Sequence, residues 1–175
     1  MKTKCLSALL TTAAMFLATP AIADSPDDPQ VNFSCQVTKG VPTTIAQFVG
    51  SDVKLPIFNW KPEAVAMTSS DTPQQLCNMV AEKLENYSAQ GYDLSRISFV
   101  GTNQNNLPVI CANVGGTSCS KVLLTLRPAK QPALVASNLV NSILDEKLQP
   151  KKSEYRSRGV QSISYQVDFW SLLGL

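Results

Sequence analysis

Four cysteines, Cys35, Cys77, Cys111 and Cys119, constrain the fold of this 175-residue chain more than any other feature. The fifth, Cys5, stands inside an N-terminal leader. Residues 1–23 read as a secretory signal peptide. Lys2 and Lys4 form its positive start, Leu6 to Ala18 is an uncharged apolar run, and Pro20 breaks the helix before Ala21-Ile22-Ala23 and a cut at Asp24. The run is shorter than the roughly 18 apolar residues that a membrane span requires. A lipoprotein would need its cysteine after the run, whereas Cys5 precedes it. The expected mature chain is exported, is not transmembrane after cleavage, and keeps an even set of cysteines.

In an oxidising compartment such a set reads as a disulfide framework, with three connectivities open to it. A zinc site competes, but there is no C-x-x-C pair and the gaps are uneven, so no metal and no cofactor is expected. Cys111 and Cys119 flank Ala112-Asn113-Val114-Gly115-Gly116-Thr117-Ser118, a turn-rich stretch able to bring its ends together. That leaves Cys35 with Cys77. In the chain-entropy model the short loop contributes about 2–3 kcal/mol and the long one about 4 kcal/mol. Neither pair has the close spacing of a redox-active dithiol.

The chain contains no histidine. A Ser-His-Asp or Cys-His nucleophile, an imidazole metal ligand and a histidine pH switch are all excluded. Lys2 and Lys4 are the only charged residues of the leader, so its loss takes the formal charge from +2 to zero. Nothing in that balance points to nucleic acid.

After a polar, Pro-rich lead-in at 24–30, expected to be mobile, Val31, Phe33, Cys35 and Val37 alternate with polar residues as in a half-buried strand. Lys39-Gly40-Val41-Pro42 turns the chain, Thr43 to Val49 supplies the partner strand, and Val53 to Trp60 a third that Pro56 confines to an edge or a bulge. Thr72, Pro73 and Gln75 then form a capping box with proline at N1, followed by Leu76, Cys77, Val80, Leu84 and Tyr87 at helical spacing and Gly91 as the stop. Cys77 lies on that stripe, so a bond to Cys35 would pin the helix to the first strand. Leu94 to Gly101, Leu107 to Val114 and Lys121 to Leu126 read as a meander, and Pro132 to about Leu148 as a second helix. The expected fold is α+β: one antiparallel sheet of five to six strands, two helices packed on one face, and two disulfides in a single domain over 31–150.

Residues 151–175 differ in character. Lys151, Lys152, Arg156 and Arg158 make a basic linker, Ile163, Tyr165, Val167 and Phe169 alternate as a strand would, and Trp170, Leu172, Leu173 and Leu175 end the chain. The linker could hold anionic lipid, although a solvated linker is the preferred account. The ending either docks as an edge strand or engages a membrane or partner groove through Phe169 and Trp170; docking is preferred. Glu82 and Glu85 share a helix surface and read as solvated, and Ser120-Lys121 cannot face one another on a strand. Gly115-Gly116 lacks the Lys-Ser/Thr and helix of a phosphate loop. Trp60 reads as a core residue.

Residues 33–148 resemble the cyanobacterial circadian-oscillating-protein domain family. The resemblance rests on Phe33-x-Cys35, Gly40-x-Pro42-Thr43-Thr44, Pro56-Ile57-x-x-Trp60, Cys77, Gly91, Leu107-Pro108-Val109-Ile110-Cys111-Ala112, Cys119 and Leu123-Leu124-x-Leu126. It implies day–night cycling of abundance and association with membranes, with no catalytic residue to carry over; the Trp-Leu-Leu ending stands outside the shared pattern. The resulting expectation is a non-enzymatic interaction module in the periplasm or thylakoid lumen, bound to a protein partner or a membrane surface. A hydrolase or transferase working without histidine, or a carrier of a small ligand or pigment, is the alternative.

Overall fold

The period-2 alternation that begins at Val31 builds a hairpin from β1 (Val31–Thr38) and β2 (Val41–Phe48). Its two-residue turn, Lys39-Gly40, has positive φ at both positions, 51° and 81°, as the twist of a tight hairpin demands. The computed structural model describes residues 31–68, 72–94, 96–114, 119–149 and 164–168; the leader, the lead-in, the Gly115-Gly116 bend and most of the tail fall outside them. Next come β3 (Lys54–Asn59), a single-turn α1 (Pro62–Val65), α2 (Pro73–Ala89), β4 (Arg96–Gln104), β5 (Leu107–Val114), β6 (Lys121–Thr125), α3 (Pro132–Ile143), a 3-10 turn (Glu146–Leu148) and β7 (Ser164–Asp168).

The strands do not form one sheet. They make two antiparallel sheets, β1-β2-β3 and β6-β5-β4-β7. The helices do not share a face either: α2 lies over β1 and β2, and α3 over β4 and β5. The reason for the division is visible in α2. Thr72 caps it through the expected box with Gln75, its apolar stripe buries Leu76, Cys77, Val80 and Leu84, and Gly91 follows its end at φ 80°. Cys77 is bonded to Cys35 of β1, with Cα atoms 5.5 Å apart. Polar side chains on either side of the stripe then reach the outer strand of each sheet. Glu85 Oε2 accepts the Phe33 N–H at 2.6 Å and Ser88 Oγ donates to the Val31 carbonyl at 3.1 Å, both on β1. Lys83 Nζ donates to the Leu123 carbonyl at 2.7 Å and Tyr87 Oη to that of Val122 at 3.4 Å, both on β6. A helix that satisfies both edges prevents the sheets from joining there, and edge backbone left unpaired invites association. Glu85 is therefore a structural acceptor rather than part of a solvated face, while Glu82 is exposed.

The third outer strand, β3, is closed differently. The second helix stops at Ile143, short of the expected Leu148, because Leu144 turns extended and bridges Phe58. The Asp145 N–H donates to the Ile57 carbonyl at 2.8 Å, and the Asp145 side chain caps the 3-10 turn at Lys147 N. Proline 56 is tolerated because β3 is an outer strand beside a register shift at Thr44/Ile45. The last segment joins the second sheet: β7 pairs with β4, placing Tyr165 opposite Phe99 and burying it.

The two sheets meet through aromatic rings. Phe58 of β3 contacts Trp60 at 5.8 Å and Phe99 of β4 at 4.6 Å between centroids, both edge-on. Trp60 is a core residue as its position implied, 1% exposed, with its indole N–H on Thr44 Oγ1 at 2.9 Å.

Burial lowers the pKa of Lys83 below the ordinary lysine value of 10.5. Between the folded-state and unfolded-state pKa values the unfolded chain binds more protons, so this lysine adds stability as pH rises through that window. Urea unfolding of wild type and Lys83→Met at pH 8 and near pH 10.5 should show the difference moving in favour of wild type at the higher pH. A constant difference would mean that Lys83 titrates alike in both states.

Candidate interaction site

An open basin of about 720 Å³ lies where the β1–β2 turn, the end of β3 and the end of α3 converge. Each wall follows from local structure. The Lys39-Gly40 turn supplies Lys39, in a left-handed conformation uncommon for a side-chain-bearing residue. The Trp60 N–H donates to the Pro42 carbonyl at 2.9 Å, which holds the end of β3, with Asn59 and Lys61, beside that turn. The extended exit from α3 brings Asp145, Glu146 and Lys147 alongside.

The floor is a hydrogen-bonded chain. Asn59 Nδ2 donates to Asp145 Oδ2 at 3.1 Å, and Asn59 Oδ1 accepts from Thr43 Oγ1 at 3.3 Å. Asp145 Oδ1 accepts the Lys147 N–H at 3.1 Å. Both oxygens of Asp145 are thus engaged. Lys39, Lys61, Lys147 and Glu146 are exposed. Three ammonium groups outnumber the two carboxylates, Asp145 and Glu146, so the rim carries a small excess of positive charge, suited to anionic groups on a partner. Ser142 also lines the basin, but its Oγ donates to the Leu139 carbonyl at 2.8 Å.

A second concavity, about 260 Å³, lies at Asn103 and the start of α3 and is lined by Pro132, Ala133 and Leu134. Among the described residues no group of three or more Cys, Asp or Glu side chains is arranged to hold a metal. No helix among them is long and apolar enough to cross a membrane.

The cysteines pair as their spacing indicated: Cys35 with Cys77, and Cys111 with Cys119, whose Cα atoms are 5.3 Å apart. Lys121, adjacent to Ser120, extends over the Tyr87 and Tyr92 rings at 5.3 and 4.4 Å. The other residues singled out in the sequence, Lys151, Lys152, Arg156, Arg158, Phe169 and Trp170, lie outside the described residues. The basin itself carries no sequence signal: Lys39, Lys61 and Lys147 belong to separate segments, joined only by the pairing of β3 with its neighbours.

A family model described as circadian oscillating protein COP23 matches residues 32–173. The chain belongs to the COP23 family. The match runs past residue 148, the limit of the residue-by-residue resemblance, and takes in Phe169, Trp170, Leu172 and Leu173. The match to this COP23-family chain thus extends over most of its apolar ending and stops short of Leu175. No curated protein matches the chain, and no solved structure does.

Proposed function

We propose that this COP23-family chain is an exported, non-enzymatic interaction module whose net-positive basin receives an anionic surface of a protein or membrane partner. The observation that carries the reading is how its reactive side chains are used. Glu85, Lys83, Ser88, Ser137, Ser142 and Asp145 each hold backbone or side-chain hydrogen bonds that build the fold. Lys39, Lys61 and Lys147 remain exposed around the basin. A hydrolase or transferase needs a nucleophile and a base converging on one pocket, and a pigment carrier needs an apolar enclosure; the basin is open and polar-rimmed. Two disulfides in a chain with a leader-like start favour an oxidising compartment. The family description supports a day–night cycle of abundance as the setting in which partners are met.

The test combines location and contact. Protein recovered from the periplasmic or lumenal fraction should have the mass of a chain starting at Asp24 with all four remaining cysteines oxidised. Photo-cross-linking in intact cells should yield adducts that disappear in Lys39→Glu/Lys61→Glu/Lys147→Glu while the thermal midpoint stays within a few degrees. A leader-retaining, reduced chain would overturn export, and identical adducts from both proteins would overturn the basin.

A further inference from the structure

The edge of β3 is engaged by Asp145 and that of β6 by Lys83 and Tyr87, whereas Glu85 and Ser88 engage β1 at its start. The two-residue turn makes Thr38 and Val41 the closing hydrogen-bonded pair of the β1–β2 hairpin. By alternation Asn32, Ser34 and Gln36 also bond to β2, and Val31, Phe33, Cys35 and Val37 turn their backbone groups outward. Glu85 and Ser88 fix that phase, since they hold the outward Phe33 N–H and Val31 carbonyl. Towards the turn the edge opens. Cys35 is half-buried, Val37 is 65% exposed, and Thr38 and Lys39 are exposed.

We propose that this open stretch of β1 takes an extended acidic segment of another protein as an added β-strand. The outward N–H and carbonyl groups of Cys35 and Val37 supply the ladder that such a strand would bond. Val37 shares a face of β1 with Phe33 and Cys35 and offers exposed apolar surface to the residue opposite it. On the other face Lys54 reaches across β2 to Gln36, with Nζ 3.2 Å from Oε1, and Lys39 stands at the end of the strand. β1 and β2 carry no charged residue of their own, and the Glu85 carboxylate sits at Phe33, beyond the open stretch. The charges beside the open edge are therefore positive, which selects a partner strand whose apolar residues alternate with carboxylates. A second copy of β1 fits less well. Pairing two copies through Cys35 and Val37 sets Gln36 opposite Gln36 and draws the two Lys54 ammonium groups together, an arrangement that like charges oppose. The edge shares only Thr38 and Lys39 with the basin, and its use does not depend on what the basin binds.

Amide exchange in the mature, oxidised protein reads the edge directly. The probes are a blocked heptapeptide of alternating valine and glutamate and the same peptide with lysine for glutamate. Without peptide, the Cys35 and Val37 amides should exchange faster than those of Gln36 and Thr38, which bond to β2. Saturating acidic peptide should slow Cys35 and Val37 roughly tenfold or more, and the basic peptide should leave them unchanged. Val37→Pro removes an outward N–H and no bond to β2, so the variant should fold and its Cys35 amide should gain no protection. Lys54→Glu should weaken the acidic peptide roughly fivefold. Equal protection by both peptides, protection by neither, or undiminished binding to Val37→Pro would overturn the proposal. Cys35 and Val37 amides already protected in dilute, peptide-free protein would show the edge occupied by the chain itself. Protection that grows with protein concentration alone would assign it to a second copy, and either result overturns the proposal equally.

Discussion

Gly101→Ala is expected to destabilise the protein by about 3 kcal/mol or more, at the upper end of the cost of overpacking a core. A Cβ at this position would fall inside the van der Waals envelope of the Ala136 and Ser137 backbone. Those atoms belong to α3 and cannot rotate aside as a side chain would. The helix would have to lift from β4, breaking the Ser137 Oγ hydrogen bond to the Gly101 carbonyl at 2.9 Å and loosening Ala136, Leu139 and Val140, all fully buried. Ser137→Ala, which deletes only the hydroxyl, should cost nearer 1 kcal/mol. Urea unfolding of both variants separates the two effects: Gly101→Ala should lose far more than Ser137→Ala. A Gly101→Ala midpoint close to that of wild type would mean that α3 can move away at little cost.

Removing the long disulfide should have the second large effect. Cys35 and Cys77 are 42 residues apart and Cys111 and Cys119 only 8. Chain entropy assigns about 4 kcal/mol to the first bridge and about 2.5 kcal/mol to the second. The long bridge also fixes α2 on β1, where Glu85 and Ser88 satisfy edge backbone. Losing it should therefore loosen the first sheet as well as enlarge the unfolded ensemble. Cys35→Ala/Cys77→Ala should be the less stable of the two double variants, and hydrogen exchange should rise first at the amides of β1. Equal losses from the two, or exchange confined to β5 and β6, would show that the long bridge does not hold the helix.

Much of this was legible before any coordinates. The alternation at Val31, Phe33 and Cys35 marks β1, the Thr72–Gln75 box marks the start of α2 within a residue, and the even cysteine set leads to both bridges. These signals are local, or depend on chemistry that few residue types can perform. The division into two sheets was not legible, because period 2 tells which residues face inward and not which strands pair. The early end of α3 was hidden for a related reason. Leu148 keeps the helical spacing, but the exposed edge of β3 captures Leu144 and Asp145 before the helix can reach it. The candidate site was the least visible part, since Lys39, Lys61 and Lys147 become neighbours only through tertiary pairing.

By itself, then, the sequence determined the types of the main elements, the cysteine pairs and, through the missing histidine, the chemistries that this chain lacks. Those properties follow from residue type and short-range geometry. Only the tertiary structure decided that α2 would satisfy two sheet edges at once, that Gly101 would yield its side-chain space to α3, and that three distant lysines would surround one basin. Each of these depends on which surfaces come together across long stretches of chain, a choice made by packing and by the need to pair buried or edge backbone groups.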